Sequence, residues 1–305
     1  MTGVATIPVH TIHGDVAVGV LPADTRAVLT EFADDSGRDG FVVVRGVPIG
    51  AVPPTHDRDG LPVPLGEHPS TALLAEVANT LGKHVGYADE KGGALVHDVR
   101  PVPGDERRVE NSGAVAFDFH TENVHHPLRP DYLGLLCLRR DHDGVAATRV
   151  ASGRAAVALL DDDTVEALRQ PVFHSNHPTS FTRETGGELL PAGPHPVYFG
   201  DRDRPYLRFN SHNTFATTPR ARAAIGLLTE ALESVCHDIV LEPGDLVVLD
   251  NNVVAHGRST FTPRYDGQDR WLRRFYSVRA IPRVVRDLMA GGSVIPALAD
   301  IRGVW

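Results

Sequence analysis

The chain has 305 residues, a net charge of −9 and 42% hydrophobic residues, which is typical of a globular protein with a full core. This acidic balance argues against a nucleic-acid partner, because phosphate binding needs a basic face. No apolar run reaches membrane-spanning length, and the N-terminus lacks the basic and apolar regions of a signal peptide. The two cysteines form no disulfide framework. We therefore expect a cytoplasmic protein without a membrane partner.

Helical periodicity predicts three helices. The first runs from about Asp24 to Ser36, and Asp24 is a candidate cap for its N-terminus. The second begins near Ser70 and ends at Gly82. The third spans about Pro219 to Val235, since proline suits the first turn of a helix.

Short apolar runs between glycine- and proline-rich turns predict strands. The Pro-Gly pair in the turn at residues 242–245 is typical of a hairpin. A few helices beside many short strands predict a mainly β protein, with a sandwich or barrel core and flanking helices. The predicted strands are Phe41–Val44, Leu133–Leu138, Ala146–Val150, Ile239–Leu241, Leu246–Leu249 and Arg273–Ile281.

Three residues form a candidate metal site. His120 and Glu122 are two residues apart, so in an extended segment both side chains point to the same face. His256 lies far downstream and must come from another strand. Two imidazoles and one carboxylate are the ligand set of a non-haem iron(II) facial triad, which leaves positions open for a co-substrate and oxygen. A three-ligand zinc site with a bound water is the chemical alternative.

The chain has 16 histidines, so a His-x-Glu triplet can also arise by chance. We expect His125 and His126 to be surface residues or to support the metal ligands without binding the metal, because Pro127 ends their strand. His97 and His142 are expected to be ordinary polar residues.

A cluster of arginines follows His256, although the protein as a whole is acidic. Arg270 and Arg274 are four residues apart and share a face in extended structure. Arginine binds carboxylates with a bidentate fork, so this face could hold two carboxylates, one from a co-substrate and one from a substrate. The alternative is an ordinary solvated strand face. The other members of the cluster are Arg258, Arg264, Arg273 and Arg279.

Several further motifs lie between about Leu29 and Val285. Together they resemble the clavaminate synthase-like branch of the iron(II)/2-oxoglutarate dioxygenases, which is related to taurine dioxygenase. Within this branch they are most similar to hydroxylases of arginine, asparagine or ornithine. The motifs are Gly40–Pro48, Phe119–Glu122, Arg129–Tyr132, Leu136–Arg139, Ala147–Thr148, Gly244–Leu246, Asp250–Asn251, His256–Arg258, Pro263–Gly267 and Asp269–Leu272.

The resemblance implies a double-stranded β-helix (jelly-roll) core in one domain over residues 1–305. We expect N-terminal helical elements in this domain. The stretch near residues 176–196 mixes Gly, Pro and polar residues and is long for a connection, which predicts a lid-like insertion. The implied cofactors are Fe(II), the co-substrate 2-oxoglutarate and molecular oxygen (O2).

The resemblance also assigns roles to residues of the site. His120, Glu122 and His256 match the iron ligands. Arg270 and Thr148 match residues that bind 2-oxoglutarate. Arg274 matches the arginine that holds the α-carboxylate of the substrate.

The implied reaction is hydroxylation of an L-amino acid, usually at C3, with oxidative decarboxylation of 2-oxoglutarate to succinate. The substrate could be free or carrier-bound, and antibiotic or other specialised metabolite biosynthesis is the expected setting. Desaturation or cyclisation at the same site is the close alternative. A zinc hydrolase and a non-catalytic jelly-roll binding protein are the more distant ones.

Three further residues bear on the identity of the substrate. Counting back from His256, Asn210 falls where the arginine and asparagine hydroxylases carry an aspartate, and asparagine cannot neutralise a cationic side chain. Asn111 matches an asparagine of the asparagine hydroxylase. Glu90 lies where an acid or glutamine grips the substrate amine. Each of the three could also be a surface polar residue.

Overall fold

The computed structural model describes residues 6–107, 113–178 and 191–301. Its helices include α1 (Ala23–Asp34), α2 (Pro69–Leu81), α3 (Gly153–Val157), α4 (Asp162–Arg169), α5 (Pro219–Ser234), α6 (Arg283–Leu288) and α7 (Leu298–Ile301), with a 3-10 turn at Lys91–Gly93. Its strands are β1 (Val9–Thr11), β2 (Phe41–Arg45), β3 (Lys83–Tyr87), β4 (Val96–Val99), β5 (Phe117–His120), β6 (Tyr132–Arg139), β7 (Ala147–Ser152), β8 (Phe173–Ser175), β9 (Ala192–His195), β10 (Tyr198–Phe199), β11 (Tyr206–Leu207), β12 (Thr214–Ala216), β13 (His237–Val240), β14 (Leu246–Asp250), β15 (Val254–Arg258), β16 (Trp271–Val278) and β17 (Val294–Ile295).

Two sheets enclose the main hydrophobic core. The larger has eight strands in the order β1-β2-β14-β6-β16-β3-β17, and β4 pairs with β16. The smaller has the order β13-β7-β15-β5. Val43, Leu135 and Leu249 of the larger sheet pack in one buried cluster with Val150 and Val254 of the smaller. The predicted mainly β fold with a jelly-roll core is confirmed.

Helices cover the outer faces of both sheets. Val42 and Val44 of β2 pack outward against Leu29 of α1 and Leu73 of α2. Because β2 is buried on both faces, its sequence is a continuous apolar run and not an alternating one. The outer face of the smaller sheet packs through Phe119 against α3, α4 and α5.

The three predicted helices are present as α1, α2 and α5, but one predicted cap was wrong. Pro22 is the N-cap of α1 and makes no side-chain cap hydrogen bond, while Asp24 lies inside the first turn. The start of α2 is capped by the His68 ring, and that of α5 by the Thr218 side chain. Proline follows each of these two caps, where its missing N–H costs nothing.

The turn at residues 242–245 does not form the predicted hairpin. β13 before it pairs with β7 in the smaller sheet, whereas β14 after it pairs with β2 and β6 in the larger sheet. The turn therefore crosses from one sheet to the other. Gly244 has φ of +89°, and a Cβ there would lie 2.8 Å from the carbonyl oxygen of Val47. Glycine fits this tight crossing because it has no Cβ and readily adopts a positive φ.

Gly257 allows the two strands that carry the candidate histidines to approach each other. A Cβ on Gly257 would lie only 2.3 Å from the backbone carbonyl oxygen of Phe117 in β5. We expect Gly257→Ala to push β5 and β15 apart and to lower the free energy of unfolding by about 1–3 kcal/mol. Urea denaturation would measure the change.

The matched control for this prediction is Gly226→Ala in α5. An added Cβ there meets no atom within 4 Å, so alanine should raise the stability by up to about 1 kcal/mol through its helix propensity. Opposite signs for the two substitutions are expected. Equal effects would contradict the role given to Gly257.

Much of the predicted lid-like insertion at residues 176–196 lies outside the described residues, which omit 179–190. Near its end, Ala192–His195 forms β9, which pairs with β8. The single domain over residues 1–305 stays a prediction. Within the described segments, no helix is long and apolar enough to cross a membrane.

Candidate active site

The sheet register brings the two distant histidines together. His120 ends β5 and is paired directly with His256 of β15, and their ring centroids are 4.2 Å apart. Glu122 follows in the next turn. One ligand atom from each of the three residues lies within 4.8 Å of the others, and all three residues are buried. The predicted triad is therefore assembled in space.

Glu122 is not positioned by strand periodicity, because β5 ends at His120. The fully buried side chain of Asn251 holds it instead. Asn251 Oδ1 accepts from the Glu122 N–H at 2.6 Å, and Nδ2 donates to the Glu122 carbonyl at 3.1 Å. Nδ2 also donates to the carbonyl of Pro130 at 2.7 Å. Asn251 thus provides the hydrogen bonds that a neighbouring strand would otherwise give.

We expect Asn251→Ala to lower the free energy of unfolding by about 2–4 kcal/mol, because it leaves three buried backbone groups without partners. Affinity for iron(II) should fall about 10–100-fold, as is usual when the support of a metal ligand is lost. Denaturation and metal titration would measure the two effects. The exposed Asn176→Ala is the control, and an Asn251→Ala protein with unchanged metal affinity would contradict this role.

The protonation states of the cluster suit a divalent cation. Burial, with His256 nearby, lowers the pKa of His120 to about 3. His120 Nδ1–H donates to the Asp118 carbonyl at 3.1 Å, which leaves the Nε2 lone pair facing Glu122. Burial opposes ionisation of Glu122, but the Arg274 guanidinium and the two imidazoles outweigh it and hold its pKa well below the usual range.

The distances support the same conclusion. Glu122 Oε2 lies 3.9 Å from His120 Nε2 and 3.5 Å from His256 Nε2. The Nε2 lone pair of His120 and the Glu122 carboxylate can both bind a metal ion, and the carboxylate also pairs with Arg274 Nη1 at 3.2 Å. The three residues fit an iron(II) ion on this ground.

An open pocket lies against the cluster, and its empty volume is about 430 Å³ including space that is open to solvent. Its buried Arg270 places Nη2 3.4 Å from Thr148 Oγ1. Among the described residues, no carboxylate lies within 4.0 Å of Arg270, and burial lowers its pKa. A buried cation without a counter-ion is costly, so the cavity suits an anionic ligand. Other lining residues are Val99, Phe117, His120, Leu135, His256, Gly257, Arg258, Leu272 and Arg274.

Arg274 joins the metal cluster to a second buried acid. Its Nη1 lies 3.2 Å from Glu122 Oε2, and its Nη2 lies 2.7 Å from Glu90 Oε1. Tyr276 donates its hydroxyl to the same Glu90 oxygen at 3.0 Å. Burial raises the pKa of Glu90, although Arg274 partly offsets it. The predicted residues Arg274 and Glu90 are therefore direct neighbours.

His97 was expected to be an ordinary polar residue, and that expectation was wrong. It is buried, and its Nδ1 lies 3.0 Å from Arg274 Nη2. Burial lowers its pKa to about 3, so it is a neutral acceptor. β4 pairs His97 directly with Arg274 of β16. The four residues Val96–Val99 have two adjacent polar residues and no apolar–polar alternation, so the sequence gives no clear signal for this strand.

The remaining predicted residues fall into different surroundings. Asn210 pairs with His120 in an isolated bridge, and its Oδ1 accepts from two backbone N–H groups of the following turn. Asn111 lies outside the described residues. His125 and His126 follow Glu122 and are buried, so the surface alternative was wrong for both. His142 is 3.1 Å from Asp266, an ordinary polar contact.

Comparison with known proteins shows the family of this chain. Residues 17–276 match the model of the "Taurine catabolism dioxygenase TauD, TfdA family". The chain belongs to the TauD/TfdA family. This membership confirms the family to which the sequence motifs pointed.

One curated relative and two solved structures are similar to this TauD/TfdA protein over most of their length. "L-asparagine oxygenase" of Streptomyces coelicolor is 41% identical over 92% of this chain and 82% of its own. A solved structure of asparagine oxygenase with Fe(II), 2S,3S-3-hydroxyasparagine and succinate has a TM-score of 0.82 at 42% identity, over 90% of this chain and 86% of that one. The non-heme iron oxygenase OrfP with Fe and alpha-ketoglutaric acid has a TM-score of 0.78 at 30% identity, over 91% and 86%.

Proposed function

We propose that this protein is an Fe(II)/2-oxoglutarate-dependent hydroxylase that acts on C3 of a free L-amino acid. The observation that carries the proposal is the His120/Glu122/His256 cluster beside a cavity whose buried Arg270 has no carboxylate partner among the described residues. The oxygenase relatives bound to iron, succinate and a 3-hydroxylated amino acid support the same reaction.

Iron(II) held by His120, Glu122 and His256 would supply the activation of O2 and the oxidative decarboxylation of 2-oxoglutarate. The protein prepares this site before the metal binds. The Asp118 carbonyl fixes the tautomer of His120, and Asn251 fixes the backbone of Glu122. The arrangement therefore needs little reorganisation on loading.

Arg270 and Thr148 would bind the carboxylate of 2-oxoglutarate that is remote from the metal. The guanidinium and hydroxyl are 3.4 Å apart, so both can donate to one carboxylate. Leu135 and Leu272 line the same cavity and would pack on the methylene carbons of the co-substrate. The oxygenase relatives with iron and alpha-ketoglutaric acid or succinate favour this role of Arg270 over a zinc hydrolase.

The Arg274–Glu90 pair matches the two charged ends of an α-amino acid. A zwitterion entering between them would place its carboxylate on Arg274 and its ammonium on Glu90, so each buried charge keeps a partner. An amino acid esterified to a carrier lacks the free carboxylate. This comparison favours a free amino acid as substrate. A reducing cytoplasm, which keeps iron(II) reduced, is the location that suits the reaction.

The proposal is tested by assaying succinate formation with each of twenty amino acids, with Fe(II) and 2-oxoglutarate present. We expect one or a few L-amino acids to stimulate succinate formation, with a product that has gained one oxygen atom. A product that has lost two hydrogens would instead show desaturation or cyclisation. The matching D-amino acid is the control. No stimulation by any amino acid would overturn the assigned substrate class.

A further inference from the structure

The segment at residues 206–210 runs antiparallel to the segment that carries His120 and Glu122. Asn210 pairs with His120, and the Thr121 N–H donates to the Phe209 carbonyl at 2.7 Å. Leu207 and Phe209 are fully buried in the cluster beneath the smaller sheet, with Phe119. Their side chains therefore point away from the face that carries His120.

Alternation then fixes the direction of the other residues. Asn210 lies opposite His120 and shares its face, as directly paired residues do in an antiparallel ladder. Arg208, two residues earlier, points to the same face as Asn210. The Arg208 side chain reaches the turn that follows the metal ligands, where its Nε donates to the carbonyl of Val124, two residues after Glu122, at 2.8 Å. Arg208 thus lies beside the turn that carries Glu122, on the face of its segment that Asn210 shares.

Arg208 has no acidic partner in the part of the chain that the structure describes. No carboxylate there lies within 4.0 Å of it, and its one described side-chain hydrogen bond uses Nε. Both terminal NH₂ groups remain available to a ligand. Burial lowers the pKa of Arg208 to about 10, which leaves it a cation at neutral pH.

Asn210 adds a second donor beside Arg208. Its Oδ1 accepts from the backbone N–H groups of His212 and Asn213, both at 2.9 Å. This pair of bonds fixes the amide orientation, so Nδ2 is the group left to face a ligand. Hydrogen-bond donors and a positive charge repel an ammonium or guanidinium group and attract a carboxylate.

We propose that the substrate has an anionic side chain and is L-aspartate or L-glutamate. Arg208 and Asn210 Nδ2 would bind the side-chain carboxylate, while Arg274 and Glu90 bind the α-carboxylate and ammonium. Arg274 contacts Glu122 and Asn210 is paired with His120, so the carbon chain between the two carboxylates would pass beside these metal ligands. This inference rests on the proposed function and makes Arg208 a specificity residue.

The test is a calorimetric titration under anaerobic conditions, in which the Fe(II)·2-oxoglutarate enzyme is titrated separately with L-aspartate, L-glutamate, L-asparagine and L-arginine. The measurement is the binding affinity of each amino acid. We expect an acidic amino acid to bind most tightly. Arg208→Gln should weaken that binding about 10–100-fold and change asparagine binding much less, because one charge-assisted hydrogen-bond pair is lost. Arg202→Gln, at an exposed arginine, is the matched control. A purely structural role of Arg208 would weaken the binding of all four equally.

The outcomes separate this inference from the proposed function. Tightest binding of asparagine or arginine would overturn the inference and leave the hydroxylase intact. So would a preference for acidic substrates that Arg208→Gln does not change. If none of the four binds although 2-oxoglutarate does, the inference fails and the twenty-amino-acid assay decides the substrate class. If 2-oxoglutarate itself does not bind, the proposed function fails and the inference fails with it.

Discussion

Replacement of His120 by alanine is expected to abolish substrate-dependent succinate formation, with a loss of about 10³-fold or more. His120 supplies one of three ligand atoms that lie within 4.8 Å of each other, and its neutral Nε2 faces Glu122. With two ligands left, the site can neither retain iron(II) firmly nor hold it in a fixed geometry. Initial rates at saturating iron, with metal content measured in parallel, would test this.

His212→Ala is the matched control for this substitution. His212 lies two residues beyond Asn210 and is half-exposed, and its Nε2 lies 3.1 Å from Asp118 Oδ2 at the surface. Surface pairs of this kind contribute little to stability. The control should therefore retain wild-type rates and metal content. Turnover of His120→Ala close to the wild-type rate would exclude the triad as the metal site.

The second large effect is expected at Arg270. Arg270→Gln should raise the KM for 2-oxoglutarate about 30-fold or more, because truncating one partner of a buried charge pair costs about 2–5 kcal/mol. The guanidinium is buried beside Thr148, so water cannot replace it as a partner for the co-substrate. Steady-state assays at varied 2-oxoglutarate concentration would measure the change.

Two further variants sharpen this prediction. Arg270→Lys keeps the charge but loses the fork, so it should recover only part of the affinity. Arg264→Gln removes an exposed arginine that pairs with Asp143, and it should leave the KM unchanged. An unchanged KM in Arg270→Gln would show that the co-substrate carboxylate binds elsewhere.

The sequence was sufficient to predict the position of a side chain where the local strand pattern determines it. Arg270 and Arg274 share the inner face because β16 alternates, and both line the same cavity as predicted. The family motifs identified His256 as the partner of His120, and the register of β5 and β15 places the two rings together. The jelly-roll core followed from the same motifs and from the many short strands.

Contacts between residues that are far apart in the chain could not be predicted from the sequence. Asn251 reaches the backbone of Glu122 from a distant part of the chain, and no periodicity predicts which asparagine will do so. His97 meets Arg274 only because β4 joins the edge of β16. The Pro-Gly turn at residues 242–245 suggested a hairpin, but turn chemistry does not say which sheet receives the next strand. Likewise, only the register with His120 shows which face Arg208 takes.

The central claim is that one site holds iron(II) and 2-oxoglutarate together, and a single measurement tests it directly. The iron(II) protein is titrated with 2-oxoglutarate under anaerobic conditions and its visible absorption is recorded. A charge-transfer band that saturates in wild type, is absent in His120→Ala and needs far more 2-oxoglutarate in Arg270→Gln is the predicted result. Absence of any band in the wild-type protein at saturating iron and 2-oxoglutarate would contradict the account.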